Sequence, residues 1–286
     1  MTNLILGCGY LGHRVALAWR QQEDRVFVVT RSADRARQFA AEGLEPIVAD
    51  ITDPKTIPPL PEVRTVLFSV GYDRQQLQPI GDVYAGGLKH VLGVLSPDTG
   101  RVIYISSTGV YGDEGGDWVD EKTVAEPSRE GGRACLAAES VLSEHPLGKN
   151  GIVLRLAGIY GPARIPRLDD LRAGKPIRGD GDGFLNLIHV DDAVQAILAA
   201  ATCEASSRIY NICDGNPAPR RAFYEELAGL IGTPPPQFIS AGNEAPERSR
   251  GGADKRVSNR RMLAELAVTL RYPTFREGLA AIVRAG

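Results

Sequence analysis

Apolar residues recur along this chain in two rhythms, and the rhythms alternate. Short apolar runs at 3–7 (NLILG), 25–31 (RVFVVTR), 45–50 (EPIVAD), 65–71 (TVLFSVG) and 101–107 (RVIYISS) have the length and β-branched content of buried strands. Between them lie stretches with apolar positions at helical spacing: 10–22 (YLGHRVALAWRQQ), 33–43, which ends on Gly43, and about 82–95. A polar Gly/Asp/Glu loop over 112–126 then leads into a helix within PSREGGRACLAAES (127–140), and GIVLRLAGIYGP (151–162) is one more buried strand. Near-continuous apolar strands alternating with helices predict an α/β fold with a parallel, doubly wound sheet covered on both faces.

Past Gly161 the alternation breaks. Residues 162–185 are rich in Gly, Pro and charge; 191–200 (DDAVQAILAA) reads as a helix and 208–215 (RIYNICDG) as a strand. From Pro217 onward short helices mix with a TPPPQF turn segment and an Arg-rich loop. These features predict a dinucleotide-binding domain over 1–160 and a smaller α/β lobe over 161–286 on the substrate side, with about 188–213 returning to the first domain.

Composition narrows the class. The chain has 286 residues, 43% of them hydrophobic, enough for a substantial core. Its formal net charge of -2 implies no nucleic-acid or membrane partner. Cys8, Cys135, Cys203 and Cys213 are scattered without a CxxC or metal-ligand spacing, so a reduced cytoplasmic chain with no bound metal is expected. The start has no basic segment or cleavage site, so no signal peptide is expected, and no apolar run reaches the ~20 residues of a membrane helix.

GCGYLG places Gly7, Gly9 and Gly12 as G-x-G-x-x-G between a strand and a helix, with Tyr10 and Leu11 completing the run. Gly7 permits the tight turn, Gly9 lets a pyrophosphate approach the backbone, and Gly12 lets helix and strand pack closely. This Rossmann context makes a dinucleotide the expected ligand. About twenty residues on, where an Asp or Glu would hold a ribose 2′-OH, stand Thr30, Arg31 and Ser32, followed by Arg35 and Arg37. A guanidinium binds a 2′-phosphate that a carboxylate repels, so NADP is expected in preference to NAD, with Arg31, Ser32 and Arg35 at the phosphate. The alternative, that these arginines only solvate a helix face, stays open.

With these motifs, and with ADITDP (49–54), ISSTGVYG (105–112), LRLAGIYGP (154–162), NLIHVDDAV (186–194), YNICDG (210–215), DKRVSNRRM (254–262) and TFREGL (274–279), nearly the whole chain resembles an extended short-chain dehydrogenase/reductase of the epimerase/dehydratase type. The resemblance implies that Asp50 and Ile51 border the adenine and that Ser69, Val70 and Gly71 line the cofactor. It also puts Ser107 at the catalytic serine position, Tyr160 near the nicotinamide, and Asn186 and His189 at the junction with the substrate lobe.

The family's acid/base tyrosine and lysine lie four residues apart, one helical turn, so both face the site. Counting back from Glu139, the family's glutamate position, puts Cys135 at the lysine and Gly131 at the tyrosine. No tyrosine occurs between Tyr111 and Tyr160, so no shift of register restores the pair. The resemblance is therefore to the atypical members that keep the Rossmann scaffold without Tyr-x-x-x-Lys. Ser107, Tyr111 and Tyr160 are the candidate catalytic residues, with Tyr84 and Arg133 as further candidate acids.

Arg248, Arg250, Lys255, Arg256, Arg260 and Arg261 cluster in the lobe, where the resemblance implies contact with a substrate pyrophosphate. Asn186, Arg250 and Arg256 are thus the expected ligands of an anionic small molecule; a solvated basic face is the alternative. Trp118 is expected to anchor the 112–126 loop. Three functions stand: an epimerase/dehydratase-like dinucleotide binder without the standard catalysis, an active reductase or sugar-nucleotide epimerase using substitute residues, and a redox-responsive or scaffold protein. A monomer or a homodimer fits each.

Overall fold

The computed structural model describes residues 1–73, 75, 78–179, 181–204, 208–239 and 254–285. Strand β1 (Thr2–Leu6) buries Leu4, Ile5 and Leu6 to 1% exposure or less, which a strand achieves only when both faces are covered. It pairs in parallel with β2 (Arg25–Thr30) on one side and β4 (Thr65–Phe68) on the other. β3 (Glu45–Val48) adds beyond β2, and β5 (Arg101–Ser107) beyond β4. Strands Gly151–Leu156 and Ile209–Ile212 complete a seven-stranded parallel sheet, with the chain reversing its direction of growth at β1. The doubly wound sheet and smaller α/β lobe expected from the apolar rhythm are both present.

The helices follow from the same local chemistry. α1 (Tyr10–Gln21) buries Leu11, Val15, Ala16 and Trp19 along one stripe. α2 (Ala33–Ala41) begins at Ser32, whose hydroxyl accepts the Arg35 N–H. A π-helical turn over Asp82–Gly86 runs into α3 (Gly87–Leu92). Leu88, Val91 and Leu92 of α3 and Ala138 and Leu142 of α4 (Glu130–Glu144) pack with Leu4, Leu6, Val66, Phe68, Val102 and Tyr104 of the sheet. Each large side chain buried this way contributes about 1.5–3 kcal/mol.

The chain divides into two compact units. The first comprises Met1–Val110, Glu130–Arg155 and Ile197–Tyr210; the second comprises Tyr111–Arg129, Leu156–Ala196 and Asn211–Gly286. The second has its own core of Tyr160, Leu187, Phe223, Leu227, Phe275 and Leu279. Helix Arg220–Ile231 stops at Gly232, whose φ of 71° is the left-handed C-terminal turn that glycine adopts without strain. Short strand pairs, among them Leu187–His189 with Gly158–Tyr160 and Arg256–Val257 with Trp118–Val119, tie the unit together. Among the described residues no helix is long and apolar enough to cross a membrane.

Candidate functional site

The strand–turn–helix at the start of the chain is shaped by its three glycines, each for a different reason. Gly7 has φ +88°, and a Cβ there would lie 2.6 Å from the backbone of Ser69 and Val70. A Cβ on Gly12 would stand 2.4 Å from the Gly7 carbonyl oxygen, so only glycine lets α1 sit this close to the turn. Gly9 is the opposite case: a Cβ there meets nothing within 4 Å among the described residues, and the residue is exposed. Its backbone thus borders open space. The N-terminus of α1 has no side-chain cap and no acidic residue in its first turn. Uncapped N–H groups, the positive end of the helix dipole and a bare backbone face suit a diphosphate. The residues present fit an NAD-type dinucleotide.

Ser69 braces the turn: its N–H donates to Leu6 O at 2.8 Å and its hydroxyl to Gly7 O at 3.0 Å. At the end of β2, Arg31 is exposed and Ser32 caps α2. Arg35 is engaged elsewhere. Its Nη2 donates to Cys8 O at 2.9 Å and its guanidinium lies over the Phe39 ring at 5.1 Å. After β3, Asp50 accepts the Thr52 N–H and hydroxyl at 2.9 and 2.7 Å. Ile51 is 8% exposed, and its carbonyl accepts from His90 Nδ1 at 2.9 Å.

Helix α4 carries Gly131, Cys135 and Glu139 one turn apart. Among the described residues a Cβ on Gly131 would touch Ile80 Cδ1 alone, at 3.9 Å. One turn on, Cys135 is buried and its thiol is pushed up to about 11 by that burial, so it is a neutral space-filling group at pH 7. A further turn on, Glu139 accepts from Arg155 at 3.0 and 2.7 Å and from the Ser106 hydroxyl at 2.5 Å, all buried. Arg155 was not singled out from sequence, yet a signal was there: a lone arginine in the apolar strand GIVLRL needs a buried partner. Ser107, half-buried at the end of β5, accepts the Gly109 N–H at 3.0 Å.

The second unit gives the other candidates structural surroundings. Tyr111 is 1% exposed and its hydroxyl donates to Asn211 Oδ1 at 2.9 Å. Tyr160 is fully buried, edge-on to His189 at 5.3 Å, and Gly278 is packed so tightly on it that a Cβ would lie 2.1 Å from its hydroxyl. Burial raises the Tyr160 pKa well beyond the usual phenol range. Both tyrosines, proposed from sequence as catalytic candidates, thus lie inside this unit's packing. Asn186 is occupied at both ends: its amide donates to Lys255 O at 2.9 Å and its oxygen accepts the Val257 N–H at 2.7 Å. Arg256 donates to Gly116 O at 2.6 Å and is flanked by the Trp118 and Phe184 rings at 5.4 and 5.3 Å, so it clips the loop and gives Trp118 its anchor. Arg248 and Arg250 lie outside the described residues. Asp214 is 4% exposed; its Oδ1 accepts the Asn216 N–H at 2.9 Å while its Oδ2 has no partner among the described residues. Burial raises its pKa to about 8. No group of three or more metal-binding side chains occurs among the described residues.

Residues 3–213 match the model of the NAD dependent epimerase/dehydratase family. Over 201 residues, 70% of this chain, the sequence is 33% identical to Protein YeeZ of Escherichia coli strain K12; the match spans 66% of that protein's length. The fold superposes with a TM-score of 0.81 on a functionally unknown conserved protein from Silicibacter pomeroyi, at 31% identity over 99% of this chain and 98% of that one. It superposes with a TM-score of 0.78 on UDP-glucuronic acid 4-epimerase from Bacillus cereus in complex with NAD, at 18% identity over 100% and 99% of the two chains. That last comparison corrects the expected NADP preference: solved relatives of this fold hold NAD. The physical reason is visible at Arg35, whose guanidinium is tied to Cys8 O and the Phe39 ring and so does not form the expected phosphate clamp with Arg31.

Proposed function

From a chain that belongs to the NAD dependent epimerase/dehydratase family, we propose a protein that binds an NAD-type dinucleotide at the Gly7–Gly12 turn and departs from the family's Tyr-x-x-x-Lys catalysis. The observation that carries this is the open face at Gly9 beside the uncapped α1 N-terminus, set against Gly131 and Cys135 on α4. A bound NAD supplies hydride transfer at its nicotinamide ring. The first N–H groups of α1 would hold the diphosphate, the bare Cα of Gly9 would let it approach, Ser69 keeps the turn rigid, and Asp50 and Gly71 would border the remainder. Ser107 hydrogen-bonds a carbonyl, but a serine hydroxyl at its ordinary pKa is a poor proton donor. Glycine has no side chain to replace the phenol, and a buried neutral thiol cannot supply the lysine's charge.

A second function, an active reductase or epimerase with a substitute acid, draws support from Tyr84. It stands on the π-helical turn Asp82–Gly86, a geometry frequent at functional sites, and is half-buried. A fluorescence titration with NADH, followed by a carbonyl-substrate screen of wild type and Tyr84→Phe, separates the two. NADH binding without turnover supports the first. Turnover abolished by Tyr84→Phe supports the second. Absence of NADH binding refutes both.

A further inference from the structure

In the first unit, one peptide group just past β3 is pinned from both sides. Its oxygen, the Ile51 carbonyl, accepts from His90 Nδ1 of α3 at 2.9 Å. Its N–H, that of Thr52, donates to Asp50 Oδ1 at 2.9 Å, and the Thr52 hydroxyl donates to the same oxygen at 2.7 Å. A peptide group is planar, so holding its oxygen fixes its N–H, and the N–H in turn fixes the Asp50 carboxylate. Among the described residues the hydrogen bonds that reach this carboxylate end on Oδ1, which leaves Oδ2 for a ligand.

Helix spacing delivers the donor. Gly87 and His90 are three apart on α3 and share the face that meets Ile51, while Leu88 and Val91 pack into the sheet core. A Cβ on Gly87 would lie 2.8 Å from Ile51 Cδ1, so a bare backbone there lets Ile51 seat at 8% exposure with its carbonyl in reach of the imidazole. A carbonyl oxygen only accepts, so Nδ1 carries a proton in the neutral ring as in the imidazolium. The turn also lies where half of a dinucleotide falls. The Ala49 N–H donates to Thr30 O at 3.0 Å, which sets the turn beside the end of β2. In a Rossmann sheet that strand end meets the ribose of the adenosine half.

We propose that His90 is a positioning residue for the adenosine half of the ligand: its Nδ1–H holds the Ile51–Thr52 peptide and through it aims the Asp50 carboxylate. The inference rests on the dinucleotide assignment and deepens it, by naming a residue on α3 that sets affinity through the turn and not through contact with the ligand.

Titrations of wild type and variants with NADH and with AMP, which carries the adenosine half alone, test it beside hydrogen exchange of the ligand-free proteins. His90→Leu has no donor and is expected to weaken NADH and AMP binding by the same factor, about fivefold or more, as loss of one hydrogen bond implies. Exchange at the Thr52 and Asp53 amides speeds up in this variant, because their acceptors, Asp50 Oδ1 and the Asp50 carbonyl, belong to the released turn. His90→Asn puts a side-chain N–H the same number of bonds from the backbone and restores both readouts toward wild type, which space filling alone would not do. Lys89→Gln, exposed on the same helix, changes neither. If His90→Leu does not fold, His90→Ala takes its place with the same expected losses. Wild-type affinity in the variant without a donor, a loss confined to NADH, or equal losses in His90→Asn and His90→Leu overturns the positioning role alone. A wild-type chain that binds neither NADH nor AMP refutes the dinucleotide assignment and the role with it.

Discussion

Replacing Gly9 and Gly12 separately by alanine should separate binding from folding. At Gly12 the new methyl lies 2.4 Å from the Gly7 carbonyl oxygen and 2.8 Å from Ser69 Oγ. The first of these is backbone and cannot swing away. Overpacking of this kind costs about 1–3 kcal/mol, and the upper part of that range applies. Alanine's better helix propensity returns about 1 kcal/mol. The net loss of about 1–2 kcal/mol lowers Tm by roughly 2–8 °C at about 2–4 °C per kcal/mol. At Gly9 the methyl meets nothing within 4 Å among the described residues. Alanine is a poorer N-cap than glycine by at most about 1 kcal/mol, so Tm falls by no more than about 4 °C. The effect on ligand is reversed, because the Gly9 methyl fills the space through which a diphosphate reaches the backbone. Losing one charge-assisted hydrogen bond of about 1.5–3 kcal/mol weakens NADH binding about 10–100-fold. Differential scanning fluorimetry and NADH fluorescence titration read the two effects. A Gly9→Ala protein that binds NADH with wild-type affinity would refute the reasoning.

Three further outcomes follow from buried groups. Asp214 ionises near pH 3.8 when unfolded and near 8 when folded, so the folded state holds its proton across that window and stability falls as pH rises through it; Asp214→Asn should flatten the dependence of Tm on pH between about 4 and 8, and an unchanged slope counts against the burial assigned to this carboxyl. Glu139→Ala leaves Arg155 charged and buried, which costs about 3–5 kcal/mol; urea melts should show a matching drop in midpoint, with Glu139→Gln milder, and a shift under about 1 kcal/mol contradicts the pairing. Of the four cysteines, burial raises the thiols of Cys8 to about 12, of Cys135 to about 11 and of Cys213 further, while Cys203 is half-exposed; native protein should therefore expose one fast thiol to an aromatic disulfide reagent, lost in Cys203→Ser, and rapid reaction at Cys135 would contradict its packing.

The parallel sheet and the glycine turn were legible because they are local. Apolar runs of strand length and the spacing of Gly7, Gly9 and Gly12 carry their own geometry. The assignment of Gly131 and Cys135 on α4 rests on the family resemblance and on counting alone. What sequence could not show was engagement by distant partners. Arg35 beside Arg31 looked like a phosphate clamp, yet its acceptor is the Cys8 carbonyl, 27 positions away. Arg256 belonged to a basic cluster that pointed to an anion, but the Gly116 carbonyl and two aromatic rings hold it. Tyr111 and Tyr160 were candidate acids from residue type and the family resemblance; their burial is a property that only the folded chain defines.

The central proposal is that the glycine turn holds a dinucleotide in a protein with Gly131 and Cys135 where the resemblance expects tyrosine and lysine. A calorimetric titration of the purified wild-type chain with NAD and with NADH tests this most directly. Saturable binding at one site per chain, weakened by Gly9→Ala, is the predicted result. Absence of any saturable heat with either form, from protein that melts cooperatively, would contradict it.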